Sequence, residues 1–161
     1  MLIRKACHKD IEFIHKLDME STTYHQRFDN DFYTISQKWW KIKKTSQFTA
    51  IKDATNLILV AENEGIVIGY VWGYIEKVAK LKIGKIQDLI VTKKYRRKGV
   101  AAALIQELLI FFRNKKCIIS ETLVNVKNET ALKAFEKLGF EKKEYKMRLK
   151  LDETKKFRPF V

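Results

Sequence analysis

The sequence has little of what divides a chain into domains or anchors it in a membrane. Its 161 residues include one proline and six glycines and no serine-rich or repetitive stretch, so nothing marks a linker and we expect a single domain over residues 1–161. The longest apolar stretches, such as residues 101–112, are far shorter than the roughly 20 residues of a membrane-spanning helix. We therefore expect no membrane association. The final segment, residues 152–161, is expected either to dock on a partner subunit in a homodimer or to form a disordered tail.

Cysteine and histidine are also scarce. The two cysteines, Cys7 and Cys117, follow no secretory signal peptide, and a lone pair in that context is more often two reduced thiols than a disulfide. The N-terminal residues enter a strand-like pattern directly, which predicts a cytoplasmic protein. The three histidines, His8, His15 and His25, have no cysteine or carboxylate partners at the spacing of zinc ligands, so no metal is expected.

Charge is plentiful and strongly one-sided. Lysine and arginine number 33 against 19 aspartate and glutamate residues, which gives a formal net charge of +14. Such an excess attracts anions, including nucleic acid, anionic lipid, acidic protein and phosphorylated cofactors. It does not choose among them, because the lysines are spread over the whole chain as on an ordinary solvated surface. A nucleic-acid-binding module is disfavoured because the sequence has no interleaved aromatic platform or recognition-helix motif.

Apolar periodicity predicts alternating strands and helices. Short apolar runs rich in β-branched and aromatic residues predict strands at residues 2–6, 57–61, 66–75, 86–91, 117–124 and 140–151. Apolar residues three and four positions apart predict helices at residues 10–19, 32–44, 99–113 and 128–138. Residues 21–30 and the lysine-rich residues 77–82 are expected to be irregular. Antiparallel strands followed by a strand-helix-strand unit predict a mixed α/β (α+β) fold.

A cationic loop containing a glycine joins the strand at residues 86–91 to the next helix. Its sequence is Tyr-Arg-Arg-Lys-Gly-Val-Ala over residues 95–101. A helix N-terminus presents unpaired amide hydrogens and partial positive charge, and the small residues Gly99 and Ala101 let phosphate oxygens approach the backbone. The loop lacks the Lys-Ser/Thr pair of a Walker loop and the three spaced glycines of a dinucleotide fingerprint. The sequence therefore predicts a phosphate-binding turn of another class.

The residues of this loop carry a resemblance to a known family. Residues 96–101 match the Arg/Gln-x-x-Gly-x-Gly/Ala loop of the GNAT superfamily of N-acetyltransferases. Residues 88–91 look like the strand that precedes that loop, and residues 128–140 resemble the family's second cofactor-side motif. The opening, residues 3–10, is similar to the family's first strand and helix. The resemblance covers nearly the whole chain, apart from residues 21–52 and the C-terminal tail.

The resemblance implies a mixed, twisted sheet, flanked by about four helices, that splays open around acetyl-CoA. It implies that a primary amine attacks the thioester directly, with the backbone amides of Leu89 and Val91 bonding the pantetheine arm and the acetyl carbonyl. The residues expected to contact acetyl-CoA lie on the strand, in the loop and on the last helix: Leu89, Ile90, Val91, Arg96, Arg97, Lys98, Gly99, Val100, Ala101, Ala102, Asn128, Phe135 and Lys137.

One position departs from the family pattern. Phe135 stands where the family commonly has a tyrosine that protonates the leaving thiolate, and phenylalanine has no proton to donate. Either Tyr145 on the last predicted strand or water supplies the proton, or the thiolate leaves without a dedicated acid. We favour the last of these because the reference thiol pKa is only about 8.5. The alternative class is a CoA-binding regulatory protein without turnover.

Asp88, beside the expected thioester site, is the candidate base that takes a proton from the acceptor amine. Alternatively, it is an exposed strand carboxylate or the ion-pair partner of a lysine. Trp39 and Trp40 either shape the acceptor pocket or cover the core. The acceptor itself stays open among small amines, polyamines, aminoglycosides, lysine side chains and protein N-termini.

Overall fold

The computed structural model describes residues 1–29 and 37–149, which form one five-stranded sheet with helices on both faces. The strands are β1 Leu2–Lys5, β2 Asn56–Asn63, β3 Ile66–Val78, β4 Leu81–Val91 and β5 Ile119–Thr122. The helices are α1 Ile11–Gln26, α2 Gln37–Ala50, α3 Val100–Asn114 and α4 Glu129–Glu136, with short 3-10 helices at His8–Asp10 and Lys93–Tyr95. Strands pair in chain order, antiparallel from β1 to β4 and parallel between β4 and β5. The predicted mixed α/β fold is confirmed.

Helix α3 covers one face of the sheet and positions the loop before it. Leu104, Ile105, Leu108 and Phe112 are each at most 2% exposed and pack against β2, β3 and β4. Their spacing of one, three and four residues places them on one side of the helix. Because α3 starts directly after the cationic loop, this packing fixes the loop at the end of β4. Helices α1 and α2 cover the opposite face.

The hairpin of β3 and β4 is longer than predicted. Residues 77–82, which were expected to form a lysine-rich link, belong to the hairpin, whose strands pair up to the turn at Ala79. Within this segment, the Lys82 ammonium donates to the Lys115 carbonyl at 3.2 Å, and the cross-strand ion pairs of the hairpin lie beyond it, at Lys85. The Lys85 ammonium lies 3.1 Å from the Glu76 carboxylate on β3 and also pairs with Glu121 on β5.

Helix α1 also extends further than predicted. The sequence predicts its end near Met19 and an irregular segment at residues 21–30, whereas the helix continues to Gln26. The prediction is wrong because the buried face of α1 continues through two polar residues, Asp18 and Thr22. These residues interrupt the apolar pattern on which the prediction depended.

Helix α2 ends later than predicted for a related reason. The predicted end is residue 44, but the helix reaches Ala50 through a polar stretch in which Gln47 is fully buried. Its predicted start, residues 32–36, lies outside the described residues.

The C-terminal region differs most from the prediction. Strand β5 is shorter than the expected residues 117–124 and is partly exposed, not buried. Residues 140–149 have no regular secondary structure, and residues 150–161 lie outside the described part. Alternation of apolar and polar residues is insufficient for a strand, because a strand also needs a hydrogen-bonding neighbour. Within the described ranges, no strand pairs with the edge of β5 that faces away from β4.

Candidate active site

A β-bulge in β4 creates the candidate site. Trp72 pairs with Asp88 and the next residue of β3, Gly73, pairs with Ile86, so Gln87 is an extra residue in β4. An extra residue interrupts the alternation of side chains and bends the strand. Ile86 therefore packs on the face covered by α3, whereas Asp88 lies on the face covered by α1 and α2, where it contacts a lysine of α2.

The same bulge marks the place where β4 and β5 separate. Their parallel pairing ends with Ile86 opposite Thr122, and the Thr122 hydroxyl donates to the Ile86 carbonyl at 3.2 Å. Beyond this point, residues 87–91 have a ladder partner only on β3 among the described residues. The sheet is therefore open between β4 and the chain that follows β5.

The open edge of β4 presents backbone amides. The Thr92 amide donates to the Ile68 carbonyl at 2.9 Å, so the N–H of Ile90, two residues earlier, also points to β3. Because N–H directions alternate along a strand, those of Leu89 and Val91 point to the open edge. These are the two amides that the sequence predicts to bond acetyl-CoA. The Ile90 side chain packs into the core below α1 and α2, so Ile90 presents neither its side chain nor its amide to the opening.

The cationic loop ends in a helix start with unpaired amides. Gly99 has φ of 79° and forms the N-cap of α3, and the first helical amide to bond it is that of Ala103, at 3.0 Å from the Gly99 carbonyl. The amides of Val100, Ala101 and Ala102 precede that bond, as in the first turn of any helix. A Cβ atom added at Gly99 would meet no atom within 4 Å. The space beside this amide cluster is therefore open, which fits a phosphate group.

The three cations of the loop have different environments. Arg97 and Lys98 are exposed, and Arg97 adopts a positive φ of 60°. Arg96 instead turns inward, where its Nε donates to the Val91 carbonyl at 2.9 Å and its guanidinium lies 4.9 Å from the ring centre of Tyr24 on α1. Arg97 and Lys98 are thus the cations free to face a phosphate, while Arg96 holds the loop against α1 and β4.

Glu20 of α1 reinforces that attachment. Its carboxylate accepts from the Lys93 amide at 3.1 Å and from the Thr92 hydroxyl at 3.2 Å, and lies 3.5 Å from the Arg96 guanidinium. One carboxylate therefore connects α1 to the end of β4 and to the start of the loop.

Two of the predicted contacts on the last helix lie at its ends. Asn128 is the N-cap of α4, where its buried side chain accepts from the Ala131 amide at 3.3 Å, and this bond fixes the side chain. Lys137 lies just beyond the helix and is exposed. Both remain predictions as cofactor contacts.

The structure does not bring Phe135 and Tyr145 to the same place as Asp88. Phe135 is 7% exposed and forms an edge-to-face contact with Phe140, with ring centres 5.1 Å apart. It therefore contributes to the core below α3. Tyr145 is 80% exposed on a segment without regular secondary structure, whereas the sequence predicts it on a strand beside the site. The arrangement gives no support to Tyr145 as the acid.

A buried polar cluster surrounds Asp88 on the other face. The Lys43 ammonium donates to Asp18 Oδ1 at 2.7 Å and to Asp88 Oδ1 at 3.2 Å. Gln47 Nε2 donates to Asp18 Oδ2 at 2.7 Å, and the Tyr70 hydroxyl donates to Asp18 Oδ1. Asp88 Oδ2 is buried and accepts no hydrogen bond from the described residues. Asp88 is thus neither exposed nor fully paired.

Burial and charge shift the protonation of this cluster. Burial raises the pKa of the Asp88 carboxyl; Lys43 opposes this shift, and repulsion from Asp18 adds to it. Burial alone would lower the pKa of Lys43, but the carboxylates of Asp88 and Asp18 outweigh it, so the pKa is raised and Lys43 stays charged. Burial raises the pKa of Tyr70 well above 10, so Tyr70 remains a neutral donor. A carboxyl with a raised pKa is a better proton acceptor near neutral pH.

The sequence predicted a lysine as a possible ion-pair partner of Asp88, which Lys43 confirms, but it did not identify which lysine and it missed Asp18. A signal was present for Asp18, which follows Ile11 and Ile14 at helical spacing and so interrupts an apolar face with a charge. The sequence does not distinguish Lys43 from its many lysine neighbours, because it does not show which face of α2 packs against the sheet. Lys43 and Gln47 lie one turn apart on the face of α2 that meets α1 and the sheet.

Among residues 1–29 and 37–149, no group of three or more His, Cys, Asp and Glu side chains could hold a metal ion. In the same ranges, no helix is both long enough and apolar enough to cross a membrane.

Comparison with known proteins identifies the family. Residues 11–140 match the acetyltransferase (GNAT) family, a span that contains the bulged strand, the cationic loop and α4. The chain therefore belongs to the GNAT acetyltransferase family, and the resemblance of its motifs is confirmed.

Similar proteins agree with this assignment. An uncharacterised N-acetyltransferase of Methanocaldococcus jannaschii is 28% identical over 122 residues, which cover 73% of this chain and 51% of that protein. The chain thus spans about half the length of this curated relative. A Bacillus halodurans protein of known structure aligns with a TM-score of 0.83 at 19% identity, covering 94% of this chain and 99% of that one. An aminoglycoside N-acetyltransferase in complex with CoA aligns with a TM-score of 0.70 at 18% identity, covering 94% and 99%. These two structures establish the shared fold.

Proposed function

We propose that this protein is an acetyl-CoA-dependent N-acetyltransferase that moves the acetyl group to a primary amine. The observation that carries the proposal is the bulge at Gln87. It places two open-edge amides, those of Leu89 and Val91, next to the buried carboxylate of Asp88. An acyl-transfer site needs both elements, because oxyanion charge must be stabilised and the amine must lose a proton.

The residues present fit acetyl-CoA as the donor. The amides of Val100, Ala101 and Ala102, with the exposed cations Arg97 and Lys98, are suited to the pyrophosphate. The open edge of β4 offers hydrogen bonds to an extended amide-containing arm, as a neighbouring strand would. A CoA complex in an aminoglycoside N-acetyltransferase of the same fold supports this donor.

Asp88 has the geometry of a proton acceptor. An alkylammonium has a pKa of about 10.4 and cannot attack until it loses a proton. We infer that the Asp88 carboxylate, whose side chain is 17% exposed, takes that proton and passes it to solvent. The neutral nitrogen then forms the C–N bond while the C–S bond breaks and its electron pair leaves with the CoA sulfur. The second nitrogen proton reaches that thiolate through solvent, so the products are an N-acetyl amine and CoA thiol.

No aromatic hydroxyl is assigned to the leaving thiolate. Phe135 has no proton to donate, and Tyr145 is mostly exposed. A thiolate with a reference pKa of about 8.5 is a tolerable leaving group near neutral pH. Loss of a dedicated acid is therefore compatible with turnover.

A thiol-release assay with a panel of amines tests this function. Wild-type protein is expected to release free thiol from acetyl-CoA only when an accepted amine is present. Asp88→Asn should lower kcat/KM by about 10²-fold or more at neutral pH and recover part of it at high pH, where more amine is already neutral. A loss equal at every pH would make Asp88 a binding carboxylate. Tight CoA binding without thiol release for any amine would favour the regulatory alternative.

A further inference from the structure

The ammonium group of Lys43 contacts two carboxylates at the candidate site, the buried one of Asp18 and the partly buried one of Asp88. Lys43 bridges Asp18 and Asp88, and its side chain is 16% exposed, against 0% for Asp18 and 17% for Asp88. The cluster of one cation and two carboxylates carries a net charge of −1 when all three are ionised. Such a cluster is costly to bury unless each charge has partners. Asp18 has three donors, from Lys43, Gln47 and Tyr70. Asp88 accepts from Lys43 at 3.2 Å, and the Tyr70 hydroxyl also lies close to its carboxyl group.

We propose that Lys43 is a positioning residue that keeps Asp88 ionised and holds its carboxyl group in place for the acceptor amine, and that Asp18 limits this effect by sharing the ammonium. This inference rests on the proposed acetyl transfer, in which Asp88 is the base. The family motifs include neither Asp18 on α1 nor Lys43 on α2, because both helices lie outside the cofactor-side elements.

The geometry separates the two oxygens of Asp88. Oδ1 lies 3.2 Å from the Lys43 Nζ, whereas Oδ2 is buried without a partner among the described residues. A buried acceptor without a donor is unfavourable, so the Lys43 ammonium at Oδ1 is what offsets the burial of this carboxyl group. The bond to Lys43 also restrains the rotation of the carboxyl group.

The charges around Asp88 determine in which direction each substitution shifts the pKa of its carboxyl group. Facing it are Lys43 from α2, Asp18 from α1 and Tyr70 from β3, and Tyr70 is neutral. His25 of α1 lies near Lys43, but burial, followed by repulsion from Arg27 and Arg96, lowers its pKa, so it is uncharged at neutral pH. Removal of the cation should therefore raise the pKa of Asp88, and removal of Asp18 should lower it.

Two substitutions with opposite expected signs test the proposal. In Lys43→Met the midpoint of Asp88 titration should move up by about one to three pH units, the usual effect of losing an opposite charge at this distance. In Asp18→Asn it should move down, because repulsion is removed and Lys43 pairs with Asp88 alone. Lys44→Met is the matched control: Lys44 is the next residue on α2, and its partner is the exposed Glu12. It should leave the midpoint unchanged.

The measurement is a carbon-13 titration of the aspartate carboxyls by NMR, with the Asp88 signal assigned from its loss in Asp88→Asn. The proposal is supported if the midpoint rises in Lys43→Met and falls in Asp18→Asn. It is overturned if Lys43→Met leaves the midpoint in place or if Lys44→Met moves it equally. Should Lys43→Met fail to fold by circular dichroism, Asp18→Asn decides: a lower midpoint supports the proposal, and an unchanged or higher midpoint overturns it.

A kinetic arm separates this proposal from the proposed function. The pH dependence of kcat/KM reports the ionisation of groups in the free enzyme. In each variant its acid limb should therefore move in the same direction as the NMR titration midpoint of Asp88. A limb that stays in place while the midpoint moves overturns the link between Lys43 and the base. If no amine supports turnover in wild-type protein, the proposed function fails, while the NMR titration still decides whether Lys43 sets the state of Asp88.

Discussion

Gly99 and Gly65 have nearly the same backbone conformation, but only Gly99 lies in the loop proposed to hold the pyrophosphate. Their φ angles are 79° and 77°, and a Cβ atom added at either would meet no atom within 4 Å. Gly65 lies in the turn between β2 and β3. The two sites therefore form a matched pair for substitution by leucine.

The expected cost in stability is the same at both sites. A left-handed conformation costs an ordinary residue roughly 1–2 kcal/mol, and no clash adds to it. For a chain of this size, each kcal/mol lowers the melting temperature by about 2–4 °C. Gly99→Leu and Gly65→Leu should therefore melt at similar, slightly reduced temperatures without ligand.

The effect of CoA should separate the two variants. At a hundredfold excess over its dissociation constant, a ligand stabilises the native state by about 2.7 kcal/mol, which is a rise of several degrees. Wild type and Gly65→Leu should show this rise. Gly99→Leu should lose most of it, because the leucine side chain fills the open space in front of the Val100 and Ala101 amides. Equal CoA-induced rises in both variants would refute the pyrophosphate assignment.

Three further substitutions test the assignment of side chains. Tyr145→Phe should leave the rate close to wild type, since Tyr145 is 80% exposed, whereas loss of a general acid would cost about 10²-fold or more in a steady-state assay. Phe135→Leu should lower the free energy of unfolding in urea by about 1 kcal/mol through loss of its contact with Phe140, with little change in turnover. Asp10→Asn should destabilise the protein at neutral pH by about 1–3 kcal/mol. Hydrogen bonds from Arg4 lower the pKa of Asp10 below its ordinary 3.8, so this stabilisation is present above that value and disappears as the pH falls through the folded-state pKa. Urea unfolding should then show equal stability of the two proteins in strong acid.

The cofactor side of the fold was predictable because local sequence rules determine it. Gly99 starts α3 as the sequence predicts, and α4 begins directly after Asn128, the first residue of the predicted helix. Gly139, with φ of 88°, ends the turn after α4. Caps and positive-φ glycines need no knowledge of distant residues. Family motifs fall on these same positions, so the predicted loop and the family assignment support each other.

The acceptor side was not predictable from local patterns. The bulge at Gln87 becomes visible only from the register of β3 and β4, and it decides which face Asp88 occupies. Asp18 and Lys43 are 25 positions apart in sequence and meet only when α1 and α2 pack on the sheet. In both helices these polar residues stand where apolar contacts would otherwise reveal the buried face. The same interruption therefore hid the ends of α1 and α2 and the identity of the residues around Asp88.

We propose that the bulged strand and its loop support acetyl transfer to an amine. Mass spectrometry of a reaction with acetyl-CoA and the amine that releases most thiol tests this transfer. The measurement compares the amounts of N-acetylated amine and CoA thiol formed by wild-type protein and by Gly99→Leu. Equal amounts of the two products with wild type, and neither above background with Gly99→Leu, are expected. Thiol release without an acetylated amine, or no amine-dependent product at all, would contradict the claim.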